Sequence, residues 1–233
     1  MQSVLVLFLL FLSHRSLAEF TNESELGIAS ANGNTKSQTY NFKEAAEYKV
    51  RADVLSFKGR YLNAKANGVE TARFLMTGLR YEKQVSSRFG LFTGETLERD
   101  RFAGIDVRLM TDVGGKYRFI ETEATKFFTE LGYRYMHEDR LDGSQAYSNY
   151  SRLYTEWERK WNANFSTRYW AEYLPNFSDL KDWLLNTEVS VSAMLNSVFS
   201  LKTGALLRYD HAPAPGVLYK TDTLVTTALV AKF

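Results

Sequence analysis

The strongest constraint in this sequence is an alternation of apolar and polar residues at every second position. In residues 183–195, the odd positions from Trp183 to Leu195 are apolar or threonine, while Asn186, Glu188 and Ser190 lie between them. Successive side chains of a β-strand point to opposite faces, whereas a helix repeats every 3.6 residues. The period of two therefore predicts strands along nearly the whole chain after residue 24.

Charge is confined to one face of these segments. The other face holds no charged residue in six of them, at 107–119, 127–135, 165–173, 183–195, 199–209 and 223–233. Their lengths match the roughly 9–11 residues that a tilted strand needs to cross hydrocarbon. Aromatic residues also collect towards the strand ends, as in the girdles of outer-membrane barrels. These features indicate that the uncharged face meets lipid.

A sheet in lipid must pair all its backbone N–H and C=O groups, and only a closed barrel does so without a bare edge. The sequence therefore predicts an all-β protein, a closed antiparallel transmembrane β-barrel of about 12 strands. The connections alternate between long and short, which fits a barrel with both chain termini on the periplasmic side. In residues 36–62 the register stays open, because Glu44 falls on the face assigned to lipid. We place the strands near 24–32, 36–48, 50–62, 70–83, 88–98, 106–119, 125–137, 146–159, 164–175, 183–195, 198–210 and 221–233.

The first 18 residues are typical of a secretory signal peptide. An apolar run at 4–12 is followed by Ser16, Leu17 and Ala18, which place small residues at the two positions that a signal peptidase reads. The run is about half of what a helix needs to cross a bilayer. We expect cleavage after Ala18, with a signal peptide at 1–18 and a barrel at 19–233. The alternative is a short buried helix or strand.

Composition excludes several functional classes. The formal net charge is +2, with Lys and Arg scattered among Asp and Glu, so the sequence predicts no nucleic-acid partner. The absence of cysteine excludes disulfides and thiolate metal sites, and three histidines leave few other metal ligands. We expect no metal site and no cofactor.

Charged residues on the opposite faces are the candidate functional groups. Two interpretations remain open for them: the charges ring a water-filled constriction, or they pair with one another and fill the interior. Twelve strands lie between small barrels filled by side chains and large ones with a channel, and we favour a narrow or occluded lumen. The predicted lumen-facing charges are Arg108, Asp112, Lys116, Glu130, Arg134, Arg152, Glu156, Arg168, Glu172, Glu188, Lys202 and Arg208.

Two histidines raise the alternative of an enzyme at the barrel rim. His137 lies near Glu138, Asp139 and Ser144, and a base beside a serine is the arrangement that a lipid or peptide hydrolase uses. His211 precedes a proline-containing loop. Polar residues also gather in outer loops by chance, so we predict no catalytic residue and no enzyme.

Three segments resemble a known bacterial family. They are residues 27–35 (GIASANGNT), residues 98–104 (ERDRFAG), and residues 221–223 (TDT) leading to 229–233 (LVAKF). The sequence is similar to salt-stress-induced outer-membrane proteins, a β-barrel family of otherwise unknown function. The resemblance implies a Gram-negative outer-membrane barrel with no established activity.

The C-terminus is similar to the signal by which the barrel-assembly machinery recognises its clients. Leu229, Ala231 and Phe233 alternate up to the last residue, although Phe233 could merely end an apolar face. The expected partners are this machinery, outer-membrane lipid and lipopolysaccharide. The expected function is structural or that of a narrow, porin-like channel for small ions or solutes. The resemblance alone implies a link to salt or osmotic stress. A soluble periplasmic sandwich is a further alternative, because it also alternates apolar and polar residues.

Overall fold

The computed structural model of the protein describes residues 18–32, 36–179 and 181–233. Twelve β-strands follow one another through these residues. Their bounds are β1 (Ala18–Ala31), β2 (Ser37–Val50), β3 (Asp53–Ala66), β4 (Val69–Gln84), β5 (Phe89–Asp100), β6 (Ile105–Glu121), β7 (Thr125–Arg140), β8 (Gln145–Lys160), β9 (Phe165–Pro175), β10 (Trp183–Met194), β11 (Phe199–Asp210) and β12 (Thr221–Lys232).

No helix in the described residues has the length and apolar character needed to span a membrane.

Each strand pairs antiparallel with the next, and β12 pairs with β1 to close the sheet into a barrel. The closing ladder runs from Glu23 opposite Lys232 to Leu26 opposite Leu229. It is extended by Asn22 and Phe233, whose backbone N–H groups each donate to the other's carbonyl at 2.9 Å. The predicted closed antiparallel barrel of twelve strands is confirmed.

Connections at the two ends of the barrel differ in length. One end has short turns such as residues 51–52 and 122–124, and the other includes the loops at 176–182 and 211–220. Because outer-membrane barrels place short turns in the periplasm, we assign the short-turn end to the periplasmic side. The first strand starts and the last strand ends there.

Two predicted strand positions are wrong. Strand β1 begins at Ala18 rather than near residue 24, because its periplasmic end pairs with β2 without apolar alternation. Strand β3 spans 53–66 rather than 50–62, because a turn at Arg51 (φ 56°) carries no glycine or proline signal. The predicted signal peptide covers 1–18, and its residues 1–17 lie outside the described residues.

The outer surface of the barrel is apolar between two aromatic belts. Leu131 is 66% exposed and Val225 is 67% exposed, so the uncharged rows are not covered by another layer of the described chain. Phe119 stacks on Phe127 at the periplasmic end (5.1 Å between ring centroids), and Trp183 stacks on Tyr209 at the outer end (4.7 Å). An exposed apolar band between aromatic belts is the surface of a membrane barrel, and the soluble sandwich is excluded.

Two carboxylates interrupt this apolar surface. Glu44 pairs across the sheet with Ser24 and Gly59, and the hydroxyl of Ser24 donates a 2.7 Å hydrogen bond to it. Residues directly opposite each other share a face, so the structure places Glu44 on the lipid side, in the segment whose register the sequence left open. Glu95 of β5 pairs with Leu79 and also faces outward. Charge on the lipid face therefore occurs on β2 and β5, outside the six strands with uncharged faces.

Replacement of Glu44 by leucine is expected to stabilise the barrel. A carboxylate that faces acyl chains destabilises a barrel, but its cost is smaller than the ~2–4 kcal/mol of an Arg or Lys at the bilayer midplane. We expect Glu44→Leu to raise the free energy of unfolding by roughly 1 kcal/mol, measured by urea unfolding in phospholipid vesicles. Glu47→Leu is the matched control, because Glu47 lies at an odd-numbered position of the same strand, on the opposite face from Glu44, Tyr40 and Phe42. An equal gain in both variants contradicts the assignment of Glu44 to the lipid face.

Candidate functional site

The interior of the barrel carries the charged side chains. All twelve charges predicted to face the lumen line one interior cavity. Seven of them are buried: Arg108, Glu130, Arg134, Arg152, Glu172, Glu188 and Lys202. Those of intermediate exposure are Asp112, Lys116, Glu156, Arg168 and Arg208. Each of the twelve has an oppositely charged group within 4 Å.

Arg152 of β8 lies at the centre of the largest group of ion pairs. It donates at 2.7 Å to Glu130 and at 2.7 Å to Glu172. Arg134 holds Glu172 from the other side at 3.1 Å and binds Asp112 at 2.6 Å. Because each carboxylate is shared between cations, the group compensates charges that would otherwise be costly to bury. These residues come from β6 to β9 and coat one wall of the lumen.

A second group of ion pairs crosses the lumen. Arg208 of β11 donates to Glu98 at 2.9 Å and to Asp100 at 3.0 Å, both on β5. Strands β5 and β11 are six strands apart in either direction around the barrel, so they face each other across its full width. Glu98 is also bound at 2.9 Å by Arg108, which in turn binds Glu138. The interior is therefore narrowed at this level by a bridge between opposite walls.

A third group joins β1 and β2 to β10 and β11. Lys43 donates to Glu188 at 3.0 Å and lies 3.8 Å from Glu25. Lys202 is hydrogen-bonded to Glu25 and lies 3.8 Å from Glu188. The two lysines and two glutamates alternate, so this group carries no net charge.

Phe92 fills space beneath the charged groups. The guanidinium of Arg80 lies 3.8 Å from the centre of its ring, within the range of a cation–π contact. The ring reaches over Gly114, where a Cβ atom would lie 2.8 Å from it and 2.5 Å from a backbone oxygen. Glycine at 114 is therefore required by the close approach of Phe92 and the neighbouring backbone.

Apolar side chains fill one side of the lumen towards its outer end. A buried cluster consists of Met110, Met136, Tyr150, Leu174 and Leu184, from β6 to β10. The outer loop at 211–220 adds Ala214, which is buried against Gly104. The open part of the interior therefore lies mainly on the opposite side.

The remaining space forms a cavity of about 690 Å³. Glu121 and Lys126 line it at the periplasmic end, and Tyr219, Lys220 and Asp222 line it at the outer end. The cavity is therefore bounded by residues from both ends of the barrel.

Sequence reasoning missed several charged residues of this interior. Glu25, Lys43, Lys58 and Arg60 line the cavity but lie in the strands whose boundaries or register were uncertain. A signal was present: Leu55, Phe57 and Tyr61 alternate with Lys58 and Arg60, although Gly59 interrupts the apolar row. No group of three or more His, Cys, Asp or Glu suited to a metal ion occurs within the described ranges.

His137 and His211 belong to the outer aromatic belt rather than to a catalytic group. His137 stacks on Tyr147 at 4.6 Å, and its Nε2 lies 3.5 Å from Asp139. The hydroxyl of Ser144 instead donates to Asp142 at 2.6 Å. His211 stacks on Trp183 and lies 3.0 Å from the hydroxyl of Tyr209. Neither histidine is hydrogen-bonded to a serine in the described structure, so the geometry gives no support to a rim hydrolase.

A closed barrel with an apolar exterior and a charged, cavity-containing interior defines the class of outer-membrane β-barrel proteins. Two solved structures share the fold. The NanC porin is 10% identical over 92% of this chain and 98% of its own, with a TM-score of 0.51. The COG4313 outer membrane channel from Pseudomonas putida F1 is 11% identical over 93% of this chain and 95% of its own, with a TM-score of 0.52.

The particular family follows from the sequence. The model of the family described as "Protein of unknown function, DUF481" matches residues 24–233, and the chain belongs to that family. No curated protein matches the chain.

Loss of the shared carboxylate Glu98 is expected to destabilise the barrel. Breaking a buried ion pair costs ~3–5 kcal/mol. We expect Glu98→Gln to lower the free energy of unfolding by only about 2 kcal/mol, because Arg108 retains its ion pair with Glu138 and Arg208 retains its ion pair with Asp100. Urea unfolding in vesicles, followed by tryptophan fluorescence, measures the change. The isosteric control is Glu158→Gln, since Glu158 lines the cavity but has no ion pair in the described residues. Equal stability of the two variants rules out the bridging role of Glu98.

Proposed function

We propose that this protein is a narrow, porin-like channel of the outer membrane that passes small ions or solutes. The observation that carries the proposal is the cavity bounded by residues from both ends of a closed barrel. A polar, water-accessible lumen crossing an otherwise apolar membrane is the physical requirement for passive conduction. Charged side chains line much of it, beside apolar residues such as Met110 and Leu206, so solutes meet a wall of mixed polarity.

The dimensions support small solutes only. The lumen is narrowed where Arg208 of β11 reaches Glu98 of β5 on the opposite wall. A bridge between opposite walls also favours a second candidate function, that of a structural barrel whose lumen is closed. Conduction by the purified protein separates the two functions.

Removal of the Arg208 side chain, which reaches across the lumen to Glu98, is expected to widen the channel. In planar bilayers we expect small, discrete conductance steps for the wild-type protein. Arg208→Ala is expected to raise the step size by about twofold or more, because the side chain that spans the lumen is gone while Glu98 keeps Arg108.

Lys126→Ala provides the comparison, since Lys126 lies at the periplasmic mouth and not at the bridge. Bilayers that stay silent with both the wild-type protein and Arg208→Ala contradict the channel and favour the closed scaffold. Similar step sizes in all three proteins contradict the assignment of the constriction to Arg208.

The assembly machinery, outer-membrane lipid and lipopolysaccharide are proposed as partners. Support comes from the outward side of β12, where Leu229 and Phe233 are exposed and Ala231 lies between them. These three residues continue the apolar row to the end of the last strand, where it is available for recognition.

Phe233→Ala is expected to reduce assembly in cells severalfold, measured as the heat-modifiable folded form in outer-membrane fractions. Spontaneous folding of the same variant into lipid vesicles is expected to stay close to wild type. Phe199→Ala removes an exposed aromatic from the same end of the barrel and is the control. A loss confined to vesicles, or an equal loss in both variants, contradicts a recognition signal.

We also propose a link to salt or osmotic stress, supported only by the family resemblance of the sequence motifs. Abundance of the protein in cells grown with and without added NaCl tests it, and unchanged abundance contradicts it.

A further inference from the structure

We propose that Lys58 and Arg60 of β3 form an anion-binding site in the middle of the lumen, suited to a small oxyanion such as sulfate or phosphate. The consequence for passage, a preference for anions over cations, rests on the proposed channel function. Binding itself does not depend on conduction.

The first observation is the set of neighbours that the register gives these two cations. Lys58 lies between Ala45 and Gly78 on the adjacent strands. Neither neighbour can compensate its charge, and their small side chains leave it exposed to the cavity that all three line. Space and a cation therefore occur together at this position.

Arg60 has a like-charged neighbour. It is paired across the sheet with Lys43 on one side and with Met76 on the other. Like charges directly opposite each other are destabilising. Because Lys43 has Glu188 and Glu25 as its own partners, these carboxylates are not left to compensate Arg60.

The second observation is that neither cation is compensated. In the described part of the chain, no carboxylate lies within 4 Å of the Lys58 ammonium or the Arg60 guanidinium. The Nε of Arg60 is buried without a hydrogen-bond partner. Two guanidinium groups share the ring of Phe74, that of Arg60 at 5.1 Å and that of Arg208 at 4.9 Å.

The carboxylates around Lys58 and Arg60 already form ion pairs with other basic residues. Around Arg60 these are Glu188, Glu98 and Glu25, and around Lys58 they are Glu156 and Glu130. Each of them forms an ion pair with another lysine or arginine. Lys58 and Arg60 therefore add an excess of positive charge where the other mid-lumen charges are paired.

Acidic residues without an ion pair lie elsewhere in the described lumen. Glu47 and Glu158 are close to the periplasmic ends of β2 and β8, and Asp210 and Asp222 are at the outer ends of β11 and β12. Glu44, in the middle of β2, also has no ion pair in the described residues, but it lies on the outward face of the strand. Lys58 and Arg60 are in the middle of β3. The two mouths of the lumen therefore have charges of both signs without ion pairs, whereas the unpaired charges at the centre of the lumen are positive.

The two side chains suit an oxyanion chemically. A guanidinium presents paired N–H donors that match two oxygens of a carboxylate, sulfate or phosphate, and an ammonium adds a point charge. In a lumen with low-dielectric walls, such a charge raises the local concentration of anions and repels cations. Sulfate is the simplest probe, because it is small, divalent and not consumed.

Two measurements on the full-length barrel test the site. Isothermal titration of sulfate into the detergent-solubilised protein at low ionic strength is expected to show binding that drops at least tenfold in Lys58→Gln with Arg60→Gln. The control, Lys49→Gln with Lys126→Gln, removes two positive charges that line the cavity near the periplasmic mouth and is expected to keep wild-type binding. Heat-modifiable mobility on gels verifies that every variant is folded.

The second measurement is the reversal potential in planar bilayers under a KCl gradient. We expect wild type to favour chloride over potassium, and the chloride-to-potassium permeability ratio to fall at least threefold in the Lys58/Arg60 double variant. Conductance that is cation-selective, with sulfate binding equal in wild type and the double variant, overturns the anion site and leaves the channel standing. Silent bilayers with sulfate binding lost only in that variant overturn the channel and leave the site standing.

Discussion

Backbone hydrogen bonding in a medium without water is the constraint on which this structure depends. Every N–H and C=O within the hydrocarbon must find a partner in the chain. The twelve strands meet this requirement by closing on themselves, with β1 and β12 joined at Glu23 to Leu26 and at Phe233. Closure fixes the direction of every other side chain, because alternate residues must then face lipid or lumen.

Closure creates a second problem, which is charge in a confined interior. Glu130, Glu172 and Glu98 each contact two or more basic side chains at hydrogen-bonding distance. Sharing of this kind offsets the unfavourable transfer of ions from water. It also narrows the lumen, because some partners come from opposite walls. The same side chains therefore serve stability and limit the width of the proposed passage.

Much of the fold could be predicted from individual segments. Residues 183–195 and 199–209 show unbroken alternation, and the structure has strands there with the predicted faces. Prediction failed where alternation was broken. Arg51 makes a turn without a turn residue, and Gly59 leaves a gap in the apolar row of β3. Lys58 and Arg60 were overlooked for that reason, although they lie in the centre of the lumen.

The sequence by itself determined that this chain spans a membrane as strands, and which face of most strands carries charge. Both properties are local, because the period of two acts between neighbouring residues. Only the tertiary structure decided which charges meet. Arg208 and Glu98 are 110 residues apart and lie on opposite walls, and their contact depends on the curvature and stagger of the whole closed sheet. The uncompensated charge of Lys58 and Arg60 depends on the same long-range geometry, since a cation is unpaired only once all its neighbours are known.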